Sequence, residues 1–223
     1  MTENIIIPKS ITPELAEESG WHIGDGSMNY YNNKGYVKGI YQLRGHIEDD
    51  REHYINVIKP IFKFLYDIDI SLRLMPSTRV FGFQIWCNKL VGFKKKLGLP
   101  LGEKFDILIP KVFLVNDELR KAVIRGVFDT DGCVYLQPKY GKLYPRIEMV
   151  TISLRLAKQL LFLLNNLGLR TTMDKLVYNG KENRQQAYRI NIRGNEMFDK
   201  FMEIIKPANP KHVRKYIFHK ENF

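Results

Sequence analysis

The chain has 223 residues, of which 44% are hydrophobic, and a formal charge of +11 from 35 Lys and Arg against 24 Asp and Glu. This basic excess indicates a polyanionic partner, nucleic acid or an anionic membrane surface, although a solvated basic surface has the same composition. No stretch approaches the roughly 18 apolar residues of a membrane span, and no signal sequence opens the chain, so we expect a cytoplasmic protein. Its two cysteines, Cys87 and Cys133, are too few for a disulfide framework or a zinc site and are expected to be free thiols.

The first predicted element is a helix that ends in a Gly-Asp-Gly sequence. Residues 12–28 read TPELAEESGWHIGDGSM. Thr12 is a suitable N-cap, and Pro13 suits the first helical position because its missing N–H has no partner there. The helix is therefore expected to deliver Asp25 from its C-terminal end.

Strands and a long helix follow. The stretches YVKGIYQLR and SLRL are predicted strands, and INVIKPIFKFLYDI is a predicted apolar helix. In FGFQIW, the apolar residues Phe81, Phe83 and Ile85 alternate with Gln84 and Trp86, as expected when one face of a strand is buried. The run of three lysines at 94–96 falls on the next predicted helix, where it indicates a solvated face.

The stretch GVFDTDGCVYL at 126–136 has two interpretations. If a strand precedes it, Asp129 and Asp131 resemble the start of a phosphatase of the haloacid-dehalogenase type. The preceding residues VNDELRKAVIRGVF instead favour a helix, since Asn116 and Asp117 can cap it and apolar residues recur at four-residue spacing. The ligand spacing of an EF-hand calcium loop is also absent.

An internal repeat links this helix to the first one. At an offset of 106 residues, Ala16 aligns with Ala122, Gly20 with Gly126, Gly24 with Thr130, and Asp25 with Asp131. Small residues thus recur every four positions in both helices, which allows two backbones to approach closely. The two carboxylates are then expected to lie side by side.

The repeat continues along the chain. Residues 81–100 align with 188–207 at an offset of 107, which places Asn88 on Asn195 and Pro100 on Pro207. Each half therefore reads helix, two strands, helix, two strands, helix. We predict an α+β fold of two αββαββα repeats with curved antiparallel sheets, divided as 1–105 and 106–223 and joined through residues 101–117.

Two acidic helix ends in such halves resemble the LAGLIDADG homing endonucleases in their single-chain, two-repeat, archaeal-type form. The second motif, IRGVFDTDG, retains Gly126, Asp129, Asp131 and Gly132, whereas the first, ESGWHIGDG, has Ile23 in place of the earlier aspartate. The C-terminal run NPKHVRKYIF resembles the tail of such proteins. Inteins carry the same endonuclease, but the chain has no nucleophilic first residue or terminal His-Asn, so self-splicing is not expected.

The resemblance implies a monomeric site-specific endonuclease that cuts double-stranded DNA. In the family, the last acidic residue of each motif holds a divalent metal, which carries over to Asp25 and Asp131. Mg²⁺ fits because it prefers oxygen ligands and activates water, and Mn²⁺ is an expected substitute. Gly24 and Thr130 are further metal-site candidates, whereas Asp129 is expected to be structural.

The resemblance also assigns residues to the DNA surface and to the surroundings of the metals. Outward-facing strand residues suit the major groove. The DNA-binding candidates are Lys38, Gln42, Arg44, Arg73, Gln84, Trp86, Tyr135, Gln137, Lys139, Arg189, Asn191 and Arg193. The candidates near the metals are Arg44, His46, Lys89, Ser153 and Arg155.

Three alternatives stay open. The same fold can assist the splicing of intron RNA as a maturase, with a similar basic surface. A non-cleaving DNA-binding derivative would have lost at least one metal carboxylate, and both are present. A basic scaffolding protein gives no reason for the paired GDG and TDG sequences.

Overall fold

The computed structural model describes residues 5–177 and 185–222 and contains two four-stranded antiparallel sheets. The elements of the first half are α1 (Pro13–Gly24), β1 (Gly26–Asn33), β2 (Tyr36–His46), α2 (Arg51–His53), a π-helical turn (Tyr54–Ile58), α3 (Lys59–Tyr66), β3 (Arg73–Met75), β4 (Val80–Trp86) and α4 (Asn88–Lys96). Those of the second half are α5 (Asp117–Asp131), β5 (Gly132–Lys139), β6 (Lys142–Thr151), α6 (Leu154–Asn166), β7 (Thr171–Lys175), β8 (Tyr188–Arg193), α7 (Asn195–Ile205) and α8 (Pro210–Asn222). Short 3-10 turns lie at Pro76–Thr78 and Lys111–Phe113.

The two sheets have the same topology. Their strand orders are β1-β2-β4-β3 and β5-β6-β8-β7, and every neighbouring pair is antiparallel. The predicted α+β fold of two similar halves is therefore confirmed. The division at residue 105 stays a prediction.

Both motif helices begin at the predicted caps. The Thr12 hydroxyl accepts a hydrogen bond from the Leu15 amide, and the Asn116 side-chain oxygen accepts one from the Leu119 amide. Each cap satisfies an amide that has no partner within its helix. The chain before the DTDG sequence is thus helical, and the strand interpretation is wrong.

Glycines allow α1 and α5 to pack with their backbones in contact. A Cβ atom at Gly126 would overlap the Glu17 carbonyl oxygen and lie 2.9 Å from the Gly20 Cα atom. A Cβ at Gly20 would in turn lie 2.8 Å from the Gly126 Cα atom. The predicted stripe of small residues therefore forms the interface between the halves and sets the separation of the two helix ends.

We expect Gly126→Ala to destabilise the protein by about 2 kcal/mol, because the methyl group meets backbone that moves only if the helices separate. Gly92→Ala in α4 is the matched control, since its Cβ would meet only the Tyr30 hydroxyl at an ordinary 3.5 Å. That change should stabilise the protein by up to about 1 kcal/mol through helix propensity. Urea unfolding measures both, and equal effects would contradict the tight interface.

Each sheet buries one face and exposes the other. On β4, Phe81, Phe83 and Ile85 are buried, whereas Gln84 and Trp86 are exposed. The predicted alternation is confirmed, and the face that carries Gln84 and Trp86 is called the outer face of the first sheet. None of the helices in the described ranges is long and apolar enough to cross a membrane.

Two local features differ from the sequence interpretation. The apolar helix of the first half contains the π-helical turn Tyr54–Ile58, which ends two residues before Pro60. Proline has no amide hydrogen and collides with the preceding helical turn, so a wider turn accommodates it. The run of lysines at 94–96 is not a uniformly solvated face, because the Lys94 side chain is fully buried.

Candidate functional site

Asp25 and Asp131 lie at the C-terminal ends of the paired helices. Asp25 caps α1 and is half-buried, whereas Asp131 is the last residue of α5 and is open to solvent on one side. Desolvation by the surrounding protein, with repulsion from Asp131 and Asp50, raises the pKa of Asp25 to about 7. Desolvation likewise raises the pKa of Asp131 to about 6, against the opposing effect of nearby lysines. The two carboxylates thus interact, as the repeat predicts.

Two lysines that the sequence analysis did not identify approach these carboxylates. The Lys104 ammonium donates to the carbonyl oxygens of Ile23 (3.0 Å) and Gly24 at the end of α1, and its charge lowers the pKa of both Asp25 and Asp131. Lys211 at the start of α8 has the same effect on both. The two positions are 107 residues apart, since 211 − 104 = 107. The alignment of Pro100 with Pro207, extended by four residues, would have found them.

The C-terminal segment is tied to both halves near this site. Asn209 donates from its side chain to Asp50 Oδ1 (2.9 Å) and to the Asp129 carbonyl oxygen (2.9 Å). Lys211 Nζ lies 2.7 Å from the same Asp50 oxygen. These bonds position Lys211 relative to Asp25 and Asp131.

Asp129 is fully buried and holds this segment. Its two carboxylate oxygens accept hydrogen bonds from the amides of Ala208 (3.0 Å) and Asn209 (3.1 Å). Burial nevertheless raises the pKa of Asp129 to about 8, because the two amides only partly offset the desolvation. Asp129 therefore attaches the start of the C-terminal segment to the end of α5, in keeping with the structural role expected for it.

Arg44 and His46 border the same region as Asp25. They line, together with Asp25, Gly45, Thr78, Arg79 and Val80, a cleft of about 470 Å³. Arg44 is exposed, whereas His46 Nδ1 accepts from the Asp49 amide at 3.3 Å. The structure therefore brings these two candidates to the carboxylate end of the first half.

The other three candidates near the metals are held elsewhere. Lys89 donates to the Ile5 carbonyl (2.7 Å) and anchors the segment before α1. Ser153 caps α6 and donates to the Ile107 carbonyl (2.9 Å), while Arg155 lies 2.7 Å from Asp106. These predictions placed the residues by their distance from strand ends. The segment before α1 instead accepts the hydrogen bond of Lys89, and the linker between the halves accepts those of Ser153 and Arg155.

Gly24 and Thr130 face each other across the helix interface. A Cβ at Gly24 would overlap the Thr130 hydroxyl, which itself donates to the carbonyl oxygens of Gly126 (3.1 Å) and Val127 (3.0 Å). The Thr130 side chain is therefore used in packing and hydrogen bonding between the two helices. A metal role for Gly24 or Thr130 stays a prediction, and it would have to use the backbone carbonyl oxygen of that residue.

The outer face of the first sheet carries most of its predicted DNA-binding residues in cross-strand rows. Ser27, Gln42 and Gln84 form one row, with Gln42 donating to Gln84 at 3.5 Å. Lys38, Arg44, Arg73, Gln84 and Trp86 are exposed on this sheet, and Gln42 is half-buried. The structure thus brings all six candidates of the first half onto one surface.

The outer face of the second sheet is a network of charged pairs. Glu148 accepts from the Tyr135 hydroxyl (2.8 Å) and from Arg189 (3.2 Å), while Arg193 lies 3.7 Å from Asp174. Asn191 was expected to face DNA, but it is only 2% exposed because it lies beneath this network and donates to Asp174 (2.8 Å). Gln137 and Lys139 are exposed on the same sheet.

The paired carboxylates fit a divalent cation. Desolvation, followed by repulsion from Asp131 and Asp50, raises the pKa of Asp25, and a bound cation would offset both effects. Within residues 5–177 and 185–222, no group of three or more His, Cys, Asp or Glu side chains is placed to hold a metal. Asp25 and Asp131 would therefore share the ion with water molecules and DNA phosphate oxygens. This suits Mg²⁺, which retains water and binds phosphate oxygens.

Metal affinity is expected to depend on pH between 6 and 8. Protons compete with the cation below the pKa of about 7 for Asp25, and again below about 6 for Asp131. We expect apparent Mn²⁺ affinity to fall about tenfold per pH unit below 7 and more steeply below 6. Calorimetric titration from pH 8 to 5.5 measures this, and a pH-independent affinity would contradict the site.

Sequence comparisons identify the second half directly. Residues 118–206 match the LAGLIDADG-like domain family. The chain is also 28% identical over 206 residues to the replication factor C small subunit of Methanocaldococcus jannaschii, and this match covers 92% of the chain but 10% of the relative. The ribonucleoside-diphosphate reductase NrdEB subunit alpha of Bacillus subtilis is 25% identical, over 87% of the chain and 19% of the relative. The chain spans a small part of the curated relatives it matches.

Solved structures share the whole fold. The crystal structure of I-DmoI in complex with DNA and Ca has a TM-score of 0.67 at 18% identity, and the match covers 92% of this chain and 97% of that one. The LAGLIDADG meganuclease I-AabMI bound to uncleaved DNA has a TM-score of 0.53 at 12% identity, with 95% and 93% covered. Identities this low show the fold alone.

Proposed function

We propose that the chain, whose residues 118–206 match the LAGLIDADG-like domain family, is a metal-dependent, site-specific DNA endonuclease. The observation that carries this proposal is the pair of carboxylates at the ends of two helices in contact. Asp25 and Asp131 come from different halves, and the charges of Lys104 and Lys211, one from each half, act on both carboxylates. One catalytic position for each strand of a duplex follows from this arrangement.

The carboxylates and lysines supply complementary parts of phosphodiester hydrolysis. A divalent cation, when bound, neutralises charge on the phosphate and lowers the pKa of a water molecule. Asp25 and Asp131 would hold that cation, and their ionised forms are required. Lys104 and Lys211 add positive charge beside them, and such fixed charges stabilise the negative charge that develops on the reacting phosphate. The lysine positions are set by carbonyls of α1 and by Asp50.

The two outer faces supply the DNA surface. They carry Lys38, Arg44 and Arg73 on one sheet and Arg189 and Arg193 on the other, in a chain with a formal charge of +11. Because strand residues at repeat-equivalent places differ between the halves, one monomer should bind one long, asymmetric site. A homodimer of identical halves would instead require a palindrome.

The relatives that match this chain have different names, and the matched segment is a small part of each. Segments similar to this chain lie within proteins named as a replication factor C subunit, an aminotransferase and a ribonucleotide reductase subunit, and each match covers 10–19% of the relative. Because these names describe unrelated activities, the matched segment is unlike a part that all three activities would need in common. A homing endonuclease carried by different hosts accounts for this distribution.

Incubation of the protein with a randomised duplex library and Mg²⁺, followed by sequencing of the cut ends, tests the function. We expect ends that share one long non-palindromic sequence, with both strands cut a few base pairs apart. A library that is bound but never cut, with Mg²⁺ or Mn²⁺, would indicate a non-cleaving DNA-binding protein instead. A two-to-one complex on a palindrome would contradict the monomeric site.

A further inference from the structure

An apolar patch interrupts the outer face of the first sheet. Its residues are Tyr31, Ile40 and Trp86, which we call the Trp86 patch. Ile40 is only 5% exposed although it lies on the outer face, whereas Trp86 is 44% and Tyr31 53% exposed. The rings of Tyr31 and Trp86 lie 6.2 Å apart, and with Asn32 and Lys38 they line a cleft of about 650 Å³. The patch is therefore a shallow apolar recess open to solvent.

The patch occupies a row of the sheet whose counterpart in the second half is strongly basic. Ladder pairing joins Asn29 to Ile40 and Ile40 to Trp86 in one row. The repeat-equivalent row consists of Tyr135, Arg146 and Arg193, at offsets of 106, 106 and 107, and its members are paired in the same way. The halves thus present apolar side chains in one sheet and arginines in the other at repeat-equivalent positions.

Base pairs in the major groove offer one apolar group, the C5 methyl of thymine, whereas arginine pairs with the O6 and N7 atoms of guanine. We propose that the Trp86 patch binds the methyl group of a thymine in the half-site read by the first sheet. This inference rests on the proposed DNA-binding function and adds a base assignment to it. Lys38, which is paired with Tyr31 across the ladder, gives the recess a positive rim that suits the phosphates beside such a base.

The sheet geometry also sets the position of that thymine. The row begins at Asn29, four residues beyond Asp25 on β1, since 29 − 25 = 4. At about 3.3 Å per residue this is about 13 Å from the carboxylate, or about four base-pair steps of 3.4 Å. The thymine should therefore lie about four base pairs from the centre of the site, on one side only.

Replacement of thymine by uracil tests the assignment, because it removes only the methyl group. The full-length chain is used to select bound duplexes from a randomised library in Ca²⁺, and each thymine of the selected site is then changed to uracil. We expect about a fourfold loss of affinity at the predicted thymine, the factor that corresponds to one buried methyl group. Trp86→Gln and Tyr31→Ser should each bind the thymine and uracil duplexes more nearly equally.

Phe64→Gln is the matched control, because this exposed aromatic residue lies on α3, outside the sheet faces. It should retain the full discrimination, and thermal unfolding should show that all three variants fold. Selective binding without any uracil effect in that half-site would overturn the patch assignment and leave the proposed function intact. Equal discrimination by wild type, Trp86→Gln and Tyr31→Ser would also overturn it. Failure to select any duplex would overturn both proposals.

Discussion

Asp25→Asn and Asp131→Asn should each abolish double-strand cleavage, while duplex binding persists. Each substitution removes a metal ligand and leaves the outer faces of both sheets unchanged. The loss should reach about a hundredfold or more in rate, because several kcal/mol of charge stabilisation disappear and each 1.36 kcal/mol is a factor of ten. Single-turnover cleavage and equilibrium binding on a selected site measure the two effects separately.

The same substitutions should stabilise the metal-free protein at pH 8, which distinguishes a lost ligand from a damaged fold. The folded-state pKa of Asp25 is about 7, above its ordinary value of 3.8. The folded state therefore binds the proton more tightly than the unfolded state, so this contribution to stability is present below pH 3.8 and is lost as pH rises through 7. Asp25→Asn removes the ionised form, and its melting temperature should exceed that of the wild type at pH 8.

Asp69→Asn provides a matched control, since its carboxylate is 73% exposed and remote in sequence from either motif. It should change neither cleavage nor the melting temperature appreciably. Asp129→Asn should retain more cleavage than the motif variants but lower the stability, because its amide would face the Ala208 or Asn209 amide. Wild-type cleavage of both strands by Asp25→Asn or Asp131→Asn would refute the assignment of these ligands.

Local signals made the framework of the fold predictable. Thr12 and Asn116 mark helix starts because an N-cap requires a side-chain oxygen at that place, whatever the rest of the fold. The repeat then supplied long-range information, since small residues at matching positions in two helices predict a close interface. Sequence alone could thus place Asp25 beside Asp131.

The side chains expected near the carboxylates were harder to predict, because the positions of Lys89 and Ser153 depend on backbone that is distant in sequence. Lys89 bonds to Ile5, and Ser153 bonds to Ile107 in the linker. Neither contact has a local sequence signal. Lys104 and Lys211 were predictable in principle, because they share the repeat offset, but Lys104 lies in the linker after α4 and Lys211 in the first turn of α8, beyond the aligned block that ends at Pro207.

Lys94 shows most clearly how tertiary structure overrides a local pattern. A run of three lysines on a helix usually faces solvent, and Lys95 and Lys96 do so. Lys94 instead forms an ion pair with Glu18 of α1, and both side chains are 0% exposed. The repeat-equivalent residues are Ile124 and Phe201, both buried. The second half therefore fills with apolar side chains the place where the first half buries a charge pair.

The hydroxyl groups of two tyrosines complete the environment of this pair. Tyr41 donates to Glu18 Oε1 at 3.0 Å and Tyr66 donates to Oε2 at 3.1 Å. Lys94 Nζ lies 4.4 Å from the centre of the Tyr41 ring, a cation–π contact. Burial lowers the pKa of Lys94, and the Glu18 carboxylate opposes that shift. Each charge therefore depends on the other for its compensation.

Lys94→Met should lower the free energy of unfolding by about 3–5 kcal/mol, because it leaves the Glu18 carboxylate buried without a counter-charge. Lys95→Met is the matched control, since the neighbouring side chain is exposed on the same helix, and it should cost less than about 0.5 kcal/mol. The double variant Lys94→Met with Glu18→Gln should recover most of the loss, because the neutral amide oxygen still accepts from a tyrosine. Urea unfolding of the wild type, Lys94→Met, Glu18→Gln and the double variant closes the cycle, and additive effects of the two substitutions would show that the pair is not coupled.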